Sequence, residues 1–65
     1  MFIRNADISK GSIVKLTEDC TIPTGIFTQG HIFRVRAMIT KGYDLVDLEG
    51  RKLDNVPRYK IKLTT

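Results

Sequence analysis

The chain carries a single cysteine, Cys20, which rules out a disulfide within it. His31 is its only histidine, so the ligand set of a structural zinc site is missing as well, and no metal or other cofactor is expected. No apolar run approaches the roughly 18 residues that a membrane-spanning helix needs. The opening, MFIRNADISKG, puts Asn, Asp and Lys where a secretory signal keeps an unbroken apolar stretch, so we expect a soluble cytoplasmic protein with no membrane partner. Helical patterning is lacking too. No window of about 11 residues keeps an i, i+3, i+4, i+7 apolar stripe without a Gly or Pro inside it. Repeats, heptads and low-complexity segments are also missing, which leaves a small unstapled domain held by one core.

At 65 residues the chain makes one domain, and folding at that size buries only about 60% of the surface the unfolded chain exposes. Its hydrophobic fraction of 42% suffices for a core. The net charge of +4 favours acidic partners, nucleic acid among them, but only the placement of the charges can single one out.

The most informative stretch runs from His31 to Leu53, HIFRVRAMITKGYDLVDLEGRKL. Folding Thr40 against Tyr43 around Lys41-Gly42 sets Val35 opposite Leu48 and Ala37 opposite Val46 on one face. On the other face, Arg36 meets Asp47 and Arg34 meets Glu49. A second tight turn at Gly50-Arg51 then places Leu48 opposite Leu53 and Glu49 opposite Lys52. The sequence thus predicts a meander whose outer face neutralises itself. Under this reading the unpaired cations are Arg4, Lys10, Lys15, Lys41, Arg51, Arg58, Lys60 and Lys62.

Ahead of the meander, the β-branched run Ser12 to Thr17 reads as a first strand with Val14 and Leu16 inward. Phe2 and Ile3 are expected to pair at an edge or plug one end of the core. From Glu18 to Gly30, Pro23, Gly25 and Gly30 mark a long loop. Ile22, Ile26 and Phe27 make it too apolar to hang free, so an irregular hairpin with Gly25 at its tip is expected. After the meander, Pro57 breaks the ladder. A tight 3-10 turn is expected across Asn55 to Tyr59, and Lys60 to Leu63 closes the chain as a strand with Ile61 and Leu63 inward.

Five short strands, a long loop after the first, tight hairpins after the second and third, and a Pro-containing turn before the last resemble the Src-homology-3-like barrel over about Lys10 to Leu63. The resemblance implies an all-β, five-stranded barrel at residues 10–63, with residues 1–9 as an N-terminal extension. The peptide-binding branch of that family grips polyproline with stacked aromatics, and with no tryptophan only Pro57 and Tyr59 match such a groove. Lys10-Gly11-Ser12-Ile13-Val14-Lys15-Leu16 is similar to the opening of the KOW-type barrels of ribosomal and transcription proteins, and Gly25, Gly30 and Val35 echo its continuation. The small size and lack of a catalytic set also resemble small bacteriophage or bacterial accessory proteins.

Catalysis has little support. Cys20 and His31 can be grouped with Asp19 or Glu18, but nearness in sequence shows neither a base bonded to a nucleophile nor an orienting third group. No enzyme activity and no small-molecule substrate are expected. The stronger candidate is Arg58-Tyr59-Lys60-Ile61-Lys62. Strand alternation would point Arg58, Lys60 and Lys62 to one side, about 6 to 7 Å apart, a spacing suited to successive phosphates. Tyr59 would stack on a base, and Lys41 and Arg51 would add charge from the hairpin tips. The competing reading is a solvated edge strand that its lysines protect from aggregation. In the 18–30 loop, Thr24, Ile26 and Phe27 form a second candidate that would enter a groove on a larger protein, unless Ile26 and Phe27 only cap the barrel. The expectation is a non-enzymatic binding module that docks onto nucleic acid or a nucleic-acid-handling machine. The alternative is a modulator or inhibitor, of the kind phages encode, that engages a larger protein through that loop.

Overall fold

A computed structural model describes residues 8–64 of the chain. These residues are all-β: β1 (Ile13–Leu16), β2 (Cys20–Ile22), β3 (Gly25–Phe27), β4 (Ile32–Ile39), β5 (Gly42–Asp47), β6 (Lys52–Val56), a 3-10 turn (Arg58–Lys60) and β7 (Ile61–Leu63). One antiparallel sheet has the order β6-β5-β4-β1-β7, and β2-β3 is a separate hairpin. Successive residues of a strand point to opposite faces, so the alternating runs sort into two surfaces. Val14, Leu16, Phe33, Val35, Leu45, Leu53, Val56 and Ile61 turn inward, where Ile8 and Phe27 join them.

β6 and β7 are the edges of that sheet, and no ladder joins them among the described residues. The five strands therefore stay an open sheet where a closed barrel was expected. The loop after β1 does fold back as a hairpin, but its tip is Pro23-Thr24, and Gly25 opens β3 opposite Ile22. The tight turn follows Pro57 and takes in Lys60, so the last strand begins only at Ile61. Phe2, Ile3 and Arg4 lie outside the described residues.

The meander forms with a different register from the one expected. Ile39 pairs with Gly42 and Met38 with Tyr43, which makes Thr40-Lys41 the turn; farther along, Val35 pairs with Leu45 and Arg34 with Val46. The expected pairs Val35–Leu48, Ala37–Val46, Arg36–Asp47 and Arg34–Glu49 do not form. Across β5, Leu45 meets Leu53 and Val46 meets Lys52, in place of Leu48–Leu53 and Glu49–Lys52. The causes are local. A Cβ on residue 42 would run into the Val56 carbonyl, so Gly42 serves a close strand crossing and not a turn. Arg36 is an extra residue in β4, and Asn55 takes a φ of 62°, a left-handed conformation asparagine tolerates. Arg36 then reaches Asp54 at 3.4 Å and Asp44 at 4.0 Å, while Asp44 Oδ1 accepts the Asn55 N–H at 2.9 Å.

Asp47, expected as the cross-strand partner of Arg36, works inside the β5–β6 turn. Its Oδ1 accepts the backbone N–H of Glu49 at 2.9 Å and of Arg51 at 2.8 Å. Its Oδ2 takes the Arg51 Nε–H and the His31 Nε2–H, each at 3.0 Å. A carboxylate can only accept, so Nε2 of His31 carries the hydrogen. Gly50, with φ of 86°, completes the turn. Leu48, expected inward, is consequently lifted to the tip and is 91% exposed. The His31 ring lies 5.0 Å from Phe27 and 4.8 Å from Phe33, and the Arg51 guanidinium sits 5.0 Å from the centre of the Phe27 ring. This knot clamps the β2–β3 hairpin onto the sheet.

Candidate docking face

The residues between the core positions build the opposite surface of the sheet. Ile13 of β1 is paired with Arg34 of β4, Arg34 with Val46 of β5, and Val46 with Lys52 of β6. Directly paired residues share a face, so these four form one row. In the adjoining row, Lys62 of β7 is paired with Lys15 of β1 and Lys15 with Ile32 of β4. Ile13 and Ile32 are 41% and 38% exposed. With Val46 and Leu48 they line a groove of about 310 Å³ that Arg34 borders. Leu48 stands as its wall because Asp47 fixes the turn beneath it.

Charge is sorted along this face, with Asp44 and Asp54 gathered around Arg36 at one end and the unpaired cations at the other. Glu18 is taken by Lys60 at 3.9 Å, Glu49 by Arg51 at 3.3 Å, and Asp44 and Asp54 by Arg36. Asp19 Oδ1 accepts the Gln29 N–H at 2.7 Å, and Asp47 is spent in its turn. Lys15, Arg34, Lys52 and Lys62 have no carboxylate within salt-bridge distance among the described residues. Lys15 and Lys62 even stand directly opposite each other, an arrangement that costs stability unless an anion lies between them.

The titration of Asp47, beneath the turn that carries Leu48, is displaced. Burial raises its pKa, but the hydrogen bond from His31, those from the Arg51 and Glu49 backbone and the Arg51 charge outweigh burial and lower it from 3.8 to about 2.

The structure separates the basic residues singled out from the sequence. Arg58, Tyr59 and Lys60 lie in the 3-10 turn, not on a strand, so no alternation aligns them with Lys62. Arg58 donates from Nη1 to the Ile61 carbonyl at 2.9 Å. Arg58 and Lys41 border a groove beside Met38, Ile39 and Tyr43 at the far hairpin tip. Tyr59 is 73% exposed. Arg51 belongs to the Asp47 knot, and Lys62 alone of the set lies on the docking face. In the hairpin, Thr24 and Ile26 are exposed, whereas Phe27 is 2% exposed and packs in the core. The acid beside His31 is Asp47 and neither Asp19 nor Glu18; Cys20 is opposite Phe27 in the β2–β3 ladder. Sequence reading counted Lys15 only as an unpaired cation and singled out neither Arg34, Lys52 nor the aliphatic residues between them as a site. The i, i+2 pattern Ile13/Lys15 and Ile32/Arg34 carried the signal, but an incorrect register had assigned acids to Arg34 and Lys52.

Comparison with known proteins returns no matching family model, no similar curated protein and no similar solved structure.

Proposed function

We propose that this chain is a non-enzymatic binding module of the Src-homology-3-like kind, and that it docks onto a negatively charged partner through the outer face of its five-stranded sheet. The kinship is supported by the order of elements: a first strand, a folded-back hairpin, a meander, and a proline-led 3-10 turn before the last strand. The reading of the face rests on one observation. Among the described residues Lys15, Arg34, Lys52 and Lys62 share one end of it with no carboxylate in salt-bridge distance, while Asp44 and Asp54, farther along the same face, are taken by Arg36. A surface sorted in this way draws an anionic partner in and orients it.

Net charge alone would also retain the protein on a polyanion, so the test must hold net charge fixed. The double variant Lys15→Glu/Arg34→Glu and the control Lys10→Glu/Lys41→Glu change charge equally. On immobilised polyglutamate and on immobilised DNA, the face variant should elute at clearly lower salt than the control. Equal elution of the two on both supports would remove the docking face.

A further inference from the structure

We infer that the ligand of this face is a segment of protein in which acidic and aliphatic side chains alternate, and not a nucleic acid. The inference rests on the docking face proposed above and names the chemistry of its partner. Cations and aliphatic residues on the face form a checkerboard: Ile13 faces Arg34, and Lys15 faces Ile32. Along each strand the two types follow each other about 7 Å apart, and across strands they are about 5 Å apart. Any partner that neutralises Lys15 and Arg34 must therefore cover Ile13 and Ile32 as well.

A phosphodiester backbone can meet the cations but offers no aliphatic group for the groove between Ile13, Ile32, Val46 and Leu48. Bases would need rings to stack on, and among the described residues the face has none. Phe27 and Phe33 are in the core, Tyr43 packs against it, and Tyr59 sits on the 3-10 turn outside the sheet. Branched aliphatic side chains instead fill the groove and exclude water from it, while carboxylates at alternate positions reach Lys15, Lys62 and Arg34. Leu48, almost wholly exposed on a turn that Asp47 holds rigid, supplies a preformed wall for such a side chain. Rigid placement lowers the ordering cost of binding.

The test uses the whole chain and defined probes at low salt, read by fluorescence anisotropy. They are a short peptide alternating Glu with Leu, polyglutamate of equal charge, and single-stranded and duplex oligodeoxynucleotides. The Glu-Leu peptide should bind about tenfold more tightly than polyglutamate and more tightly than either oligonucleotide. Ile32→Thr, which keeps a β-branched residue in the strand, should erase the advantage of the Glu-Leu peptide and leave polyglutamate binding in place. Arg34→Glu should weaken both. Backbone amide shifts of the wild-type protein, titrated with the Glu-Leu peptide, should concentrate at residues 13–15, 32–34 and 46–48, which checks the site without any substitution. An oligonucleotide that binds as tightly as the Glu-Leu peptide, with loss on Arg34→Glu, would overturn this inference and leave the docking face standing. Binding of every probe that ignores Arg34→Glu, or shifts confined to other strands, would overturn both.

Discussion

Two surfaces of one sheet share the same strands and obey opposite rules. On the inner face Val14, Phe33, Val35 and Leu45 are almost fully buried, and their fit sets the stability of a domain with little core to spare. On the outer face, one residue away along each strand, Ile13, Arg34 and Val46 touch solvent, and a like-charged pair is tolerated. The difference separates positions whose side chains hold the core from positions that leave the core untouched. Adjacent positions should respond to substitution with effects of different size and even of opposite sign.

The largest effect is expected from Val35→Asp. An unpaired carboxylate would replace a side chain opposite Leu45 at the centre of the inner face, and circular dichroism should show an unfolded chain. Next comes Phe27→Ala, which removes the ring that joins the hairpin to the sheet. Chemical denaturation should record a loss of about 3 to 5 kcal/mol.

Asp47→Asn should have a smaller effect, and one that depends on pH. Folding lowers the Asp47 pKa from 3.8 to about 2, so its contribution is complete above 3.8 and is lost as pH falls through about 2. Thermal melts between pH 5 and pH 2 should therefore show a shallower decline for the variant than for wild type. The smallest effect, and a reversal of sign, belongs to Lys15→Glu. It turns a repulsive cross-strand pair with Lys62 into an attractive one, and a gain of about 0.2 to 1 kcal/mol is expected from denaturation while anion binding falls. If Lys15→Glu destabilised the protein as much as Phe27→Ala, the two faces would not be distinct.

Sequence alternation made β1 legible, down to its inward Val14 and Leu16, and it placed the hairpin between β1 and β4 and the turn before β7. Those elements are governed by local rules: β-branched runs, Pro23 and Gly25, Pro57. The meander register was not legible because its deciding contacts are not local. Gly42 looked like a turn residue but is needed under the Val56 carbonyl, and Asp47 looked like a partner for Arg36 but caps its own turn. Each bulge then moved a charge. Arg36 went to Asp44 and Asp54, and the outer face lost the acids that simple pairing had assigned to it. The candidate site was hidden for that reason alone, since its lysines, arginine and isoleucines all sit where strand period places them.

The Asp47 knot and the β1–β7 pair differ in how far apart along the chain their partners lie, and that sets an order of events in folding. Asp47 reaches a residue four positions away, whereas Thr64 meets the Ile13 carbonyl across 51 residues. Loop-closure entropy favours the shorter contact, so the β5–β6 turn is expected to form early and the β1–β7 pair to zip last. In the native protein the same order runs in reverse: amide hydrogen exchange should be fastest in β7 and slowest in β4 and β5. Lys15 and Lys62 belong to that last-closing pair, so a bound carboxylate bridging them would act as a kinetic latch, lengthening the lifetime of the folded state in addition to occupying its surface.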